Sequence, residues 1–145
     1  MSNRNTEGLF CQTPVMPSCL RLSLKRKWFE MTKAGIKTED YRELTPYWHM
    51  RLFNGSHKSK SLRQESCDNF RDEKSATSWN FENGYYFKFK KFEYNIMTLG
   101  YPPNNDTSRI LRLEHKGIEI RTGNPEWGAE PNKLYFVILH GAVLA

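Results

Sequence analysis

The stretch AGIKTEDYRELTPYW, residues 34–48, places Lys37, Glu39, Asp40, Arg42 and Glu43 between a glycine and a proline-initiated segment. If this run forms a short strand after a turn at Gly35, Asp40 and Arg42 share parity and project from one face. An arginine fork grips phosphate or carboxylate, and a neighbouring aspartate either holds that fork in place or accepts a hydrogen bond from a base. Two readings stay open here: a structural Asp40–Arg42 pair, or direct contact of both with a ligand. Lys37 has the opposite parity and reaches the same cleft only if the turn at Gly35 or a bulge re-aims it. Desolvated there beside another cation such as Lys25, its amine would release its proton more readily and act as base or nucleophile. Facing water, it would be an ordinary surface lysine.

Other residues able to do chemistry lie near predicted element ends. Lys25, Arg26 and Lys27 fall where a first strand hands over to a helix, and Lys25 and Lys27 are candidates to contact phosphate. Trp127, in NPEWGAEP, either plugs one end of the fold or stacks on a base. Glu126 and Glu130 are loop carboxylates able to supply an acid. Tyr41, Tyr47 and Trp48 suit helix or core packing, with Tyr41 also a candidate ligand contact. Cys11, Cys19 and Cys67 lack CxxC spacing, and His49, His57, His115 and His140 are scattered without an HExxH pair. Neither a disulfide framework, a metal site nor a cofactor is therefore expected.

The positive charge is uneven. Residues 1 to 60 hold eleven Lys and Arg against five Asp and Glu, while residues 61 to 145 hold eleven of each, so the net charge of +6 resides in the first part. A localised positive field favours anionic partners, nucleic acid first, because neutralised phosphates release counterions. No run approaches a membrane span, and the first residues lack a basic flank followed by an apolar stretch, so an intracellular, cytoplasmic protein is expected. With 145 residues and nine Phe, seven Tyr and four Trp, a single domain can bury a real core.

These residues need elements to position them. CLRLSLK alternates leucines with polar residues as a half-buried strand does. RKWFEMTKAG carries Trp28, Phe29 and Met31 near helical spacing and ends at Gly35, a C-terminal cap. In TPYWHMRLF, Thr45 is an N-cap and Pro46 the first helical residue. Residues 54–78, with six serines and nine mixed charges, read as a mobile insertion holding at most one short helix around SLRQESCDNF. GYYFKFKKF and EYNIMTL have strand character, RILRLEHKGIEIR changes parity at Gly117 as a bent strand or tight hairpin would, and LYFVILHGAVL suits a central strand. The expectation is a flexible tail over 1–18 and one α+β domain over 19–145. It should have five to six strands in a curved mixed sheet or pseudo-barrel, with two to three short helices.

GIKTEDYR resembles the GxKxxExR signature of ASCH domains, which belong to the PUA-like superfamily of small β-barrels. Gly35, Lys37 and Arg42 match, and Asp40 stands in place of the usual Glu. LRLSLKRKWFEMTKAG is similar to the strand and helix before that signature, and YRELTPYW and GIEIRTGNPEWGAEPNKLYFVILHG resemble a subgroup common in phages and their bacterial hosts. About half of the chain is covered. The resemblance implies a pseudo-barrel with a cleft beside the signature that binds RNA or a modified nucleoside, in a bacterial or phage-infected cell. Some ASCH proteins remove the acetyl group from acetylated cytidine with a Lys, a Thr and a downstream Glu, and others look like ribonucleases. Lys37 occupies the lysine position and Asp40 falls where those hydrolases place their Thr. As an enzyme, the chain would use Lys37 and Asp40; as a binding module, Lys25, Lys27, Tyr41, Arg42, Glu126 and Trp127. A phage–host interaction protein is the third possibility the resemblance raises.

Overall fold

The computed structural model describes residues 18–55, 57–72, 74–75 and 88–144. In chain order they form β1 (Cys19–Leu24), α1 (Arg26–Lys33), β2 (Glu39–Arg42), α2 (Pro46–Leu52), α3 (Lys60–Asn69), β3 (Tyr94–Leu99), β4 (Ile110–Thr122) and β5 (Leu134–Val143). The architecture is α+β: three helices and a five-stranded mixed sheet, order β1-β3-β4-β5-β2, that curls into a half-barrel. β1 and β3 are parallel, and every other neighbouring pair is antiparallel.

Strand β1 buries Leu20, Leu22 and Leu24 while the residues between them stay exposed, as period-two alternation dictates. In β4, Leu111 and Leu113 point into the core, and so do Ile118 and Ile120, which have the opposite parity. Register shifts between Leu113 and Gly117 absorb the change, with Gly117 at φ +126°, so the bent-strand alternative holds and all four side chains face inward. Strand β5 lies between β4 and β2 with Tyr135, Phe136, Val137 and Ile138 all buried. The segment EYNIMTL is strand β3. Residues 84–87 of the other expected strand lie outside the described residues, and beyond them Phe89 makes only an isolated bridge to Phe53.

Aromatic packing joins the layers. Phe53 stacks on Phe89 with ring centroids 4.4 Å apart and meets Phe70 and Phe136 edge-on at 6.0 Å. Phe29, Phe70 and Phe136 are fully buried, and each such side chain contributes roughly 2–3 kcal/mol of transfer free energy. Helix α3 and the residue after it bring Cys67 and Phe70 into this core, so the serine-rich segment supplies its expected helix and core residues besides. It docks on α2, where His49 Nε2 and Ser66 Oγ lie 3.0 Å apart. No described helix is long and apolar enough to cross a membrane.

Candidate functional site

The C-terminal end of α1 sets the position of Lys37. Gly35 takes the left-handed conformation at φ +78°, its N–H donates to the Thr32 carbonyl, and the N–H of Ile36 donates to that of Met31. This pair of bonds is the Schellman closure predicted by the glycine, and it reverses the chain directly into β2. Lys37 precedes the first paired residue of β2, so strand parity does not constrain it. Its side chain folds inward to 2% exposure.

There the Lys37 amine donates to the Glu39 carbonyl at 2.7 Å and forms an ion pair with Asp40 Oδ1. The second Asp40 oxygen receives His140 Nε2 at 2.7 Å. Behind His140 lie Asn95 and then His115, with 2.7 Å from Asn95 Nδ2 to His140 Nδ1 and 2.8 Å from His115 Nδ1 to Asn95 Oδ1. Burial alone would raise the Asp40 pKa, but the His140 hydrogen bond and the Lys37 charge outweigh it and hold the carboxyl down at about 2. Asp40 is thus a fixed anion near neutral pH and cannot serve as a general acid there. The Lys37 pKa is lowered, chiefly by desolvation, with the charge of Arg42 adding to it and that of Asp40 opposing it. The cation acting on Lys37 is therefore Arg42, not Lys25.

Asp40 and Arg42 do face the same side, but among the described residues they do not pair. The Arg42 guanidinium donates to the Tyr41 carbonyl at 2.9 Å and to the Ser23 carbonyl of β1 at 3.3 Å, and lies 5.3 Å from the Trp48 ring. The structural Asp40–Arg42 pair is replaced by Lys37–Asp40–His140, because the folded-in lysine and a histidine from the neighbouring strand reach the carboxylate. On the opposite face of β2, Glu39 takes two bonds from Arg121, at 2.7 and 3.1 Å. Tyr41 donates to Glu39 Oε2 and accepts from the Asn124 N–H, both at 2.8 Å, so it ties β2 to the loop after β4.

Lys37, Asp40, Tyr41 and Arg42 line a cleft of about 730 Å³ between the two edge strands β1 and β2. Five cations border it, Arg21, Lys25, Lys37, Arg42 and Arg51, against Asp40, Glu43 and Glu130. The aromatic walls come from Trp28, Tyr41, Tyr47, Trp48, Tyr101, Trp127 and Tyr135. Arg51 donates to the Tyr47 hydroxyl at 2.8 Å and lies 5.3 Å from the Trp48 ring, which fixes one side of the rim. Trp127 is half-buried in a wall of the cleft, in a turn capped where Asn124 Oδ1 accepts from the Glu126 N–H.

Of the expected site residues, Lys25, Lys37, Asp40, Tyr41, Arg42 and Trp127 thus converge on one hollow. Lys27 and Glu126 do not. Lys27 is exposed on α1 with its amine 4.7 Å from the Trp28 ring, and the Glu126 side chain is exposed on its turn, outside the lining. Arg21, Arg51, His140 and Asn95 were missed. The signal for the last two was available, since each is a polar residue in a largely apolar strand, YNIMTL and LYFVILHGAV. Among the described residues no group of His, Cys, Asp or Glu is placed to hold a metal ion. In comparisons with known proteins, no family model, curated protein or solved structure matches this chain.

Proposed function

We propose that the cleft binds RNA or a modified nucleoside, in the cytoplasm of a bacterial or phage-infected cell. The observation that carries this reading is the coincidence of seven aromatic side chains and five cations on one hollow of about 730 Å³. Its size suits a nucleotide, its rings offer stacking surfaces that accept any base, and its guanidinium and ammonium groups suit phosphate. The resemblance of GIKTEDYR to the ASCH signature supports the same class of ligand. Three of the four tryptophans border the cleft, so quenching of intrinsic fluorescence reads its occupancy directly. Titration with nucleoside monophosphates and short oligoribonucleotides should give affinity that falls steeply with salt. Arg51→Ala should weaken binding to all sequences alike and reduce the salt slope by about one. Flat titrations with RNA and DNA at low salt would dismiss the proposal.

A second reading is favoured by one observation, the desolvated amine of Lys37 at the floor of the cleft. Here the protein is a small hydrolase acting on acetylated cytidine or on RNA, with Lys37 as base or nucleophile and Asp40 as its fixed counter-charge. Incubation with acetylated cytidine and RNA oligomers between about pH 6 and 9, followed by chromatography, tests it. Unchanged substrates across that range would discard the hydrolase and leave the binding module.

A further inference from the structure

His140 has both ring nitrogens engaged and borders no part of the cleft. The orientation of Asn95 fixes its tautomer. Asn95 Nδ2 donates to the Leu139 carbonyl at 3.2 Å, so the group 2.7 Å from His140 Nδ1 is the amide NH2 rather than its oxygen. A ring nitrogen that faces a donor must accept, which leaves the imidazole proton on Nε2, aimed at Asp40. Asn95 is held in turn by His115, whose Nδ1 faces the amide oxygen. The donors therefore run in one direction, from His115 through Asn95 and His140 to Asp40, and Lys37 donates to Asp40 from the other side.

We infer that His140 is a positioning residue: Asn95 and His115 lock its ring so that Nε2–H fixes the Asp40 carboxylate against the amine of Lys37. This rests on reading Lys37 as the working amine of the cleft. Fully engaged and buried, His140 has no lone pair to offer a bound molecule, so it acts through Asp40 alone. The charged groups around that carboxylate are Lys37 and, through space, Arg42, while His140 contributes a neutral N–H donor. Lys37 is itself flanked by Glu39. His140 is the member of this set whose donor can be exchanged without changing a residue of the cleft wall.

The test uses the full chain without ligand, labelled with ¹⁵N-histidine and ¹³Cγ-aspartate and followed by NMR across pH. The expected ¹⁵N signature for His140 is the Nε2–H tautomer. In His140→Leu the Asp40 carboxyl should titrate at least about one pH unit higher than in the parent, as loss of a hydrogen bond to the charged form requires. His140→Gln, whose amide N–H replaces the donor, should recover most of that shift. A merely space-filling histidine would leave the Asp40 titration in place in both variants, and that outcome overturns the inference. An Nδ1–H tautomer in the parent protein overturns it too, and this measurement needs no variant should His140→Leu fail to fold. Since neither readout involves a nucleotide, failure of the chain to bind RNA would be a separate result.

Discussion

Replacing Asp40 by Asn removes the anion on which Lys37 and His140 converge while keeping nearly the same shape. At neutral pH the loss should be large, about 3–5 kcal/mol, because the lysine charge is left buried without its partner. The pH dependence is the sharper test. The Asp40 pKa lies at about 2 in the folded chain against an ordinary 3.8, which corresponds to about 2 kcal/mol of linked stability. Because the folded value is the depressed one, that contribution is complete above the unfolded pKa and disappears as pH falls through the folded one. The window is therefore from about pH 5 down to about pH 2. Urea unfolding followed by tryptophan emission at intervals across that window should show the parent losing its advantage over Asp40→Asn by about 2 kcal/mol. If the gap between the two proteins stays constant throughout, Asp40 is not held ionised by its neighbours, and the account of Lys37 given above fails with it.

Three further outcomes follow from packing and burial. A Cβ at Gly123 would lie 2.5 Å from the Tyr41 ring and 2.7 Å from Ala129, so Gly123→Ala should cost about 1–3 kcal/mol in chemical denaturation and loosen the loop that Tyr41 ties down. Phe136→Ala, at a fully buried position touching Phe53, Phe70 and Phe89, should cost about 3–5 kcal/mol, read as a lower urea midpoint. Burial lowers the His49 pKa from 6.5 to about 4, so the unfolded chain takes up a proton that the folded chain refuses. Stability should therefore fall by about 3 kcal/mol as pH drops through that window, and His49→Gln should flatten the fall, as compared by urea midpoints at its two ends.

Local patterning made much of the fold legible. Alternating leucines define β1, Gly35 ends α1, and the Thr45–Pro46 pair starts α2, with Thr45 Oγ1 accepting from the Trp48 N–H at 3.4 Å. The parity break at Gly117 marked an irregularity, but only the register against β5 distinguishes a bulge within one strand from a hairpin. The site was half readable for a related reason. Strand parity correctly put Asp40 and Arg42 on one face, yet it carries no information about which partner reaches them. His140 is one hundred residues from Asp40 and meets it because β5 pairs with β2, a tertiary fact. Similarly, Lys37 escapes the parity rule because it lies before the ladder begins. Lys27 and Glu126 were placed by proximity in sequence to the right elements, and the direction of each side chain decided otherwise.

The cleft exists because the curled sheet does not close. Both strands that flank it, β1 and β2, have a neighbour on one side only, and Arg42 spans the gap by donating to the Ser23 carbonyl. Main-chain groups along such margins have no ladder to join on the outer side, and several carbonyls there are taken by side chains instead, those of Ser23 and Tyr41 by Arg42 and that of Glu39 by Lys37. If the cleft binds RNA as proposed, a ribose-phosphate backbone lying there would occupy the room of an absent strand and bond partly to the peptide groups left free. Replacing side chains one by one would then erode affinity and base preference while leaving a residual grip that no point substitution abolishes.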